Sequence, residues 1–341
     1  MTMLAFIGDV MLGRGVNAEL RHDSPESVWG TTLPLLRSAD AVIANLECAI
    51  TRQGTPTTLI SKKFHFRADP VAADVLRAGN VRCVSLANNH SLDFGEEGLF
   101  DTLDALDHAA IAHTGAGRTL GQAASPAIVR LPNLTPGVVG LTDNEPAFAA
   151  TSHAAGTHYV DIESGPPPGI GLAQLASHCR ERKADLAILS LHWGPNMVTA
   201  PPARFREFAH AAIDAGFDVI HGHSGHLFQG VEIYRERPIF YDTGDFIDDY
   251  RVDDWLRNDW SFVFLIDIAE RRCERVRLVP VHLHYARANL ATGEESKAIR
   301  RRMIERCAAL GTRVFESDGT LAIDCIGTPV SGGIHEAVAV A

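Results

Sequence analysis

The sequence LAFIGD (residues 4–9) is an apolar run that ends in a glycine and a carboxylate, and four further apolar runs each end in a short polar cluster. The other runs end before Glu47, before Asn88, Asn89 and His90, before His192, and before His221, His223 and His226. Short apolar runs of this kind predict buried strands. Because ligands bind at the carboxyl ends of strands in α/β sheets, we expect these polar side chains to converge on one site.

Between these runs, apolar residues recur at three- and four-residue spacing, which predicts helices and therefore an α/β or α+β fold. The predicted helices are residues 28–38, 70–78, 96–108, 172–183 and 203–215. The predicted strands are residues 4–7, 41–46, 81–86, 111–114, 186–191, 217–220, 231–234, 238–241, 262–268 and 275–281. A hairpin is predicted for residues 127–131 and 137–141, where prolines and an asparagine separate two apolar runs.

The 341 residues are predicted to form one domain over residues 1–327, followed by a flexible glycine-containing tail over residues 328–341. The proline-rich stretch 165–168 is interpreted as a surface loop, because predicted helices and strands resume after it.

The net charge of −11 disfavours nucleic acid or an anionic membrane as a partner, since those surfaces need clustered Lys and Arg. The six cysteines form no CxxC pair, which is typical of a reducing compartment. No membrane span or cleavable leader is evident at the N-terminus, so we expect a cytoplasmic protein without a membrane anchor. The oligomeric state stays open.

The polar clusters contain carboxylates, an amide oxygen and imidazoles but no thiolate, a donor set that suits one or two divalent ions such as Mn²⁺, Fe²⁺ or Zn²⁺. Each cluster alone has an ordinary structural explanation: Asp9 could cap a helix, and His90 or His192 could be a packed histidine. Five clusters at five predicted strand ends favour a metal centre.

The motifs GDVMLGRG (8–15), ANLECAIT (44–51), LANNHSLDFG (86–95), LSLHWG (189–194) and HGHSGHLFQG (221–230) resemble the CapA family, also called PgsA, of poly-γ-glutamate capsule biosynthesis. That family is similar to the calcineurin-like metallophosphoesterases, so the resemblance implies a four-layer α-β-β-α sandwich. It also implies Asp9 and His226 at one metal, Asn89, His192 and His223 at the other, and Glu47 bridging. His90 would be the mobile acid/base residue and Asp93 its orienting partner.

The chain departs from the wider superfamily at Met11, where phosphoesterases carry a histidine, and at Glu47, which replaces a bridging aspartate. The resemblance therefore implies one metal position with a complete ligand set, beside a second position, at Asp9 and His226, that lacks a ligand. After a later strand, Asp242-Thr243-Gly244-Asp245 places an extra carboxylate, Asp245, as a candidate general base. Four cations could bind a substrate carboxylate or phosphate: Arg14, Lys62, Lys63 and Arg67.

These features favour a metal-dependent enzyme that polarises an amide carbonyl of a peptide or polyglutamate. The chemistry could be attack on the carbonyl, or epimerisation through removal of the adjacent Cα proton, with His90 and either Asp245 or His192 as the acid/base pair. The alternatives are a phosphoesterase and a non-enzymatic capsule-assembly scaffold that retains a structural ion.

Overall fold

The computed structural model describes residues 1–163 and 171–326. The proline-rich loop predicted at 165–168 and the tail predicted at 328–341 lie outside these described residues. Within them the α-helices are α1 (Arg14–Glu19), α2 (Leu33–Ser38), α3 (Val71–Ala78), α4 (Gly95–His108), α5 (Leu120–Ala123), α6 (Leu172–Glu181), α7 (Ala203–Asp214) and α8 (Gly293–Ala308).

The strands in the described part of the chain are β1 (Thr2–Val10), β2 (Ala41–Leu46), β3 (Ala49–Ile50), β4 (Arg67–Ala68), β5 (Val81–Ser85), β6 (Ala112–Thr114), β7 (Ala116–Gly117), β8 (Ala127–Ile128), β9 (Pro136–Thr142), β10 (Gly156–Thr157), β11 (Leu186–His192), β12 (Val219–His223), β13 (Val231–Tyr234), β14 (Arg237–Phe240), β15 (Asp245–Ile247), β16 (Trp260–Ala269), β17 (Arg272–His284), β18 (Arg287–Leu290), β19 (Phe315–Ser317) and β20 (Thr320–Asp324).

Two large sheets contain most of these strands. The first has the order β19-β20-β17-β16-β1-β2-β5-β6, with β15 paired to β1 and β18 to β17. The second has the order β13-β14-β12-β11-β9-β8. Strands β1, β2, β5 and β6 run parallel, as do β9, β11, β12 and β14, so the carboxyl ends within each set share one edge.

Three apolar clusters separate four layers. One lies between the sheets and contains Leu4, Phe6, Ile188 and Val219. A second packs the outer face of the first sheet against α2, α3 and α4, and a third packs the second sheet against α6 and α7. The order helix, sheet, sheet, helix is the α-β-β-α sandwich expected from the resemblance, and the fold prediction is confirmed. The single-domain boundary at residue 327 stays a prediction.

The predicted helix 28–38 was wrong in its first half. Residues Ser27–Thr32 form a 3₁₀-helix, in which Gly30 has a φ of 46°, and the α-helix begins only at Leu33. Pro34 stands at the start of that helix, where its missing N–H costs nothing. A proline is tolerated in the first turn of a helix and not in its interior, so it marks a start here.

The strand predicted at 217–220 begins two residues later and ends three later, at His223. Helices α1, α5 and α8 and strands β3, β4, β7, β10, β15, β18, β19 and β20 were not predicted. All six cysteines are buried and unpaired. Across the part of the chain that the structure describes, every helix is too short or too polar to cross a bilayer.

Candidate metal centre

The carboxyl ends of β11 and β12 place two histidines side by side. His192 and His223 are the last residues of these strands and are directly opposite in the parallel register. Side chains alternate along a strand, and Ile188 and Val219, an even number of residues earlier, belong to the core between the sheets. Both imidazoles therefore face the first sheet.

A bulge in β1 turns Asp9 toward the same space. Phe6 pairs with Ile43 of β2, and the next pair is Asp9 with Asn45. An advance of three residues along β1 therefore matches an advance of two residues along β2. A bulge of this kind changes which face a side chain takes. The Nδ2 of Asn45 donates to Oδ1 of Asp9 at 2.7 Å, which fixes the carboxylate between the sheets.

Asp9, His192 and His223 form the first donor group. The Nδ1 of His223 lies 3.5 Å and that of His192 4.0 Å from Oδ1 of Asp9. The Nε2 of His192 lies 3.1 Å from the amide oxygen of Asn89. The two histidines and Asp9 are fully buried, and the donor atoms are close enough to share one ion.

A second donor group contains Asp9, Glu47, His226 and Asp245, with one donor atom from each within 4.8 Å of the others. Asp9 thus belongs to both donor groups, whereas Glu47 belongs to one. The resemblance implied that Glu47 bridges two metal ions, and this role stays a prediction. The Nδ1 of His226 lies 2.9 Å from Oδ1 of Asp245. The φ of His226 is 59°, an uncommon backbone conformation that turns the ring into the cluster.

This second group brings three buried carboxylates together, those of Asp9, Glu47 and Asp245. Burial, reinforced by Glu47 and Asp245, raises the pKa of Asp9 well above its usual range. Burial also raises the pKa of Glu47 to about 7. Within the described part of the chain, Oδ2 of Asp245 is buried and finds no hydrogen-bond partner. Buried carboxylates left uncompensated are costly, and oxygen and imidazole donors suit a divalent ion, so the residues fit a metal centre.

His90 lies beside this centre and is held by Asp93. The Nδ1 of His90 is 2.6 Å from Oδ2 of Asp93, and the ring stacks on Phe66 with centroids 3.9 Å apart. A carboxylate only accepts hydrogen bonds, so we assign the proton to Nδ1. The Nε2 then faces Glu47, with 3.9 Å to its Oε1. Burial lowers the pKa of His90 to about 4 although Asp93 opposes this, so the ring is neutral at pH 7.

The four predicted substrate cations separate into two kinds. The Nζ of Lys62 is 2.6 Å from Oδ1 of Asp93 and 3.0 Å from Nδ1 of His90, and it also donates to the carbonyl of Asn89. It is thus a component of the His90 arrangement. Arg14, Lys63 and Arg67 also lie over aromatic rings, as Lys62 does over Phe148, but Arg14 pairs with Asp249 at 3.2 Å and not with Asp93.

Neither Asn45 nor Tyr250 was predicted from the sequence to contribute to the site. Asn45 orients Asp9, and a lone amide inside the apolar run of β2 was the signal that could have revealed it. The hydroxyl of Tyr250 donates to Oε2 of Glu47 at 3.2 Å. Tyr250 follows an irregular acidic segment, and no spacing rule singles it out.

His221 was part of the histidine cluster but lies outside both donor groups. Its Nε2 contacts the carbonyl of Ile7 at 3.0 Å, and its ring packs edge-on against Phe6. This histidine connects the two sheets behind the site.

Another group with metal-ligand residue types lies at Asp259, His282 and Glu295. Arg257 pairs with both carboxylates, at 2.7 and 3.0 Å, and His282 lies 2.6 Å from Glu295. The negative charges of Asp259 and Glu295 are already compensated by Arg257, in contrast to the carboxylates around Asp245.

Residues 3–250 match the family model described as bacterial capsule synthesis protein PGA_cap. The chain belongs to this family. The match covers every residue of the two donor groups together with His90, Asp93 and Lys62. It ends at Tyr250, before β16, so the family region contains the whole sheet edge where the donor groups lie, and the remaining strands complete the first sheet.

Named relatives are similar over most of the chain. The PGA biosynthesis protein CapA of Bacillus subtilis is 28% identical, over 83% of this chain and 72% of the relative. A probable polyglutamine synthesis accessory protein of Mycobacterium tuberculosis is 30% identical, over 90% of this chain and 91% of the relative. The capsule biosynthesis protein CapA of Bacillus anthracis is 25% identical, over 82% of this chain and 67% of the relative.

Proposed function

We propose that this chain is a metal-dependent enzyme that acts at an amide carbonyl of an acidic peptide or of poly-γ-glutamate. The observation that carries the proposal is the position of His90, whose Nδ1 is held by Asp93 at 2.6 Å while Nε2 faces Glu47. A neutral imidazole fixed in one orientation beside buried metal-binding carboxylates is the arrangement that proton transfer at a polarised carbonyl requires. The names of the relatives support the choice of a glutamate polymer.

The proposed ligands are Asp9, Glu47, Asn89, His192, His223 and His226. A divalent ion held by them supplies Lewis acidity, which polarises a carbonyl or phosphoryl oxygen. Asn45 orients Asp9, and Tyr250 orients Glu47 through its hydroxyl. These contacts reduce the rearrangement needed when substrate binds.

His90 is proposed to accept a proton through Nε2. Two reactions are proposed, and they differ in the group that gives up this proton. In the first, a nucleophile loses the proton and attacks the carbonyl. In the second, the proton comes from the Cα carbon next to the carbonyl. The second outcome is epimerisation, and it requires a further group to return a proton on the opposite face. The candidates from the sequence, Asp245 and His192, each lie in one of the donor groups.

Arg14 is the proposed contact for a substrate carboxylate. Its side chain is 36% exposed and stacks near the rings of Phe64, Phe66 and Tyr250. Tyr250 also donates a hydrogen bond to Glu47, so only one residue lies between Arg14 and the second donor group. Lys63 is exposed over the same Phe64 ring and provides a second positive charge.

The test is turnover of poly-γ-glutamate and γ-glutamyl peptides by Mn²⁺-loaded protein in heavy water, followed by mass spectrometry. Amide cleavage or transfer, or deuterium incorporation at Cα, that depends on both metal and His90 supports the proposal. The His90→Gln variant should lose the activity, whereas His108→Gln, which changes an exposed histidine, should keep it.

Two results would overturn the proposal. Faster hydrolysis of a chromogenic phosphate ester than of any peptide would identify a phosphoesterase. No turnover of either substrate, together with a melting temperature that depends on metal, would identify a scaffold with a structural ion.

A further inference from the structure

Asp245 is the buried carboxylate whose role the ligand set above leaves unassigned. Its Oδ1 lies 2.9 Å from Nδ1 of His226, and its Oδ2 has no hydrogen-bond partner among the described residues. The side chain is completely buried. A donor atom of Asp245 lies within 4.8 Å of donor atoms of Asp9, Glu47 and His226. An orphaned carboxylate oxygen at this place is the kind of group that a cation satisfies.

The backbone fixes Asp245 beside Asp9. Strand β15 runs parallel to β1 with Asp9 paired to Asp245, and the N–H of Asp9 donates to the carbonyl of Gly244 at 2.9 Å. The two segments approach so closely that a Cβ on Gly8 would lie 1.7 Å from the carbonyl oxygen of Gly244. Only glycine fits there, so the spacing of the two carboxylates is set by the main chain.

The two donor groups therefore differ in chemistry. Asp9, Glu47, Asp245 and His226 offer three carboxylates and one imidazole, and we call this the oxygen-rich position. Asp9, His192 and His223 offer one carboxylate and two imidazoles, and we call this the nitrogen-rich position. Carboxylates suit harder ions such as Mn²⁺, whereas imidazole suits Zn²⁺.

We propose that Asp245 is a direct ligand at the oxygen-rich position, and that the centre is heterometallic, with Mn²⁺ or a similarly hard ion there and Zn²⁺ at the nitrogen-rich position. This inference rests on the metal dependence in the proposed function. Asp245 also restores a full ligand set at the position that Met11 leaves short of a histidine.

A competing role for Asp245 is to orient His226 without touching the ion. Carboxylates that hold a ligating histidine are common, and their loss weakens metal binding about 10- to 100-fold. Such a role would weaken binding of every cation at that position to a similar degree. A ligating carboxylate sets the preference between cations as well, so the ratio of Mn²⁺ to Zn²⁺ affinity separates the two roles.

The experiment uses the full chain, stripped of metal by chelation and then given one equivalent of Zn²⁺ with Mn²⁺ in excess. Zinc is limited because it outcompetes Mn²⁺ at most sites when both are abundant. Elemental analysis after gel filtration should give one zinc and one manganese per chain. The Asp245→Asn variant should keep zinc and lose manganese, with Mn²⁺ affinity at least about tenfold weaker.

The His223→Ala variant should show the reverse, keeping manganese and losing zinc. The control is Asp248→Asn, which removes a carboxylate three residues away that also has a buried, unpartnered oxygen but lies outside both donor groups. Its metal content should equal that of the unaltered chain. Far-UV circular dichroism of each variant checks that the fold is intact.

Equal loss of both metals in Asp245→Asn and His223→Ala would overturn position-specific binding. Retention of manganese by Asp245→Asn, or a fall in Mn²⁺ and Zn²⁺ affinity by the same factor, would overturn the ligand role of Asp245. A chain that binds no metal at all would overturn the proposed function itself, so the two failures are distinguishable.

Discussion

The Nδ1 of His90 and Oδ2 of Asp93 are 2.6 Å apart, and this contact decides which nitrogen of the ring faces the carboxylate of Glu47. Lys62 and the backbone N–H of Phe66 hold the same carboxylate, each at 2.6 Å. Asp93 is therefore fixed from three sides, and the orientation of His90 follows from it.

The Asp93→Asn substitution should lower kcat about 10²- to 10⁴-fold, because an amide can present the wrong hydrogen-bonding group to Nδ1 and invert the tautomer. Metal content should stay unchanged, since Asp93 is outside both donor groups. Steady-state kinetics and elemental analysis measure the two quantities. The Asp107→Asn variant, which alters an exposed Asp–His pair at 3.0 Å, is the matched control and should keep full kcat.

The Lys62→Met substitution should lower kcat with little change in KM, because the ammonium group holds Asp93, the carboxylate that orients His90. The side chain is only 9% exposed, which leaves little room for a substrate carboxylate. The exposed Lys63 is the comparison, and Lys63→Met should raise KM and leave kcat unchanged. A rise in KM alone for Lys62→Met would restore its predicted role in substrate binding.

Removal of metal should lower the melting temperature by several degrees. Three buried carboxylates then lie together without their counter-ion, and an ion present at about 1,000 times its Kd stabilises the native state by about 4 kcal/mol. Calorimetry with and without a chelator measures the change. The same treatment of Asp9→Asn should have a smaller effect, because Asp9 belongs to both donor groups; an equal effect would contradict the assignment.

The Gly8→Ala substitution should destabilise the fold by about 3 kcal/mol or more, because the added Cβ would collide with the carbonyl of Gly244. Urea denaturation measures the free energy of unfolding. Gly121→Ala provides the control, since its Cβ would meet only the hydroxyl of Thr119 at 3.8 Å. If both variants unfold at the same urea concentration, the close approach of β1 and β15 is not rigid.

His158 should make the protein less stable in acid. Burial lowers the pKa of His158 to about 4, and its contact with the carbonyl of Gly140 offsets only part of this. The unfolded chain binds the proton near pH 6.5, so the stability contributed by neutral His158 is complete above that pH and is lost by about pH 4. The unfolding free energy lost through His158 over this pH range amounts to about 3 kcal/mol.

The His158→Gln variant should therefore lose less unfolding free energy than the unaltered chain between about pH 7 and pH 4. Urea denaturation at several pH values measures this. The exposed His108→Gln variant should follow the unaltered chain throughout. Parallel pH profiles for His158→Gln and the unaltered chain would show that His158 does not carry this acid sensitivity.

The apolar runs and their polar ends predicted an α/β or α+β fold and which segments meet, whereas the four-layer arrangement was implied by the resemblance to the CapA family. Asp9, Glu47, His192 and His223 come from four separate segments, and strand direction alone predicts that parallel strands bring them together. The structure brings all four into the two overlapping donor groups. Their roles as ligands remain proposals.

The bulge in β1 and the pairing of β15 with β1 could not be read from the sequence. A bulge depends on the partner strand, and Asn45 reveals it only once the register with Asp9 is known. Asp245 was expected as a general base because the proximity of its strand to Asp9 was not predictable. Helix α8 was missed because it is rich in charge, although Ile299, Met303 and Cys307 recur every four residues on its buried side.

The pairing of β1 with β16 has a consequence for biosynthesis. Thr2 lies opposite Ile268, so the strand that carries Asp9 lacks one neighbour until the distant strand β16 has been synthesised. Until then its apolar edge is open to pairing with other chains. Such distant contacts also slow folding. We infer that the nascent chain needs protection from aggregation until β16 has left the ribosome.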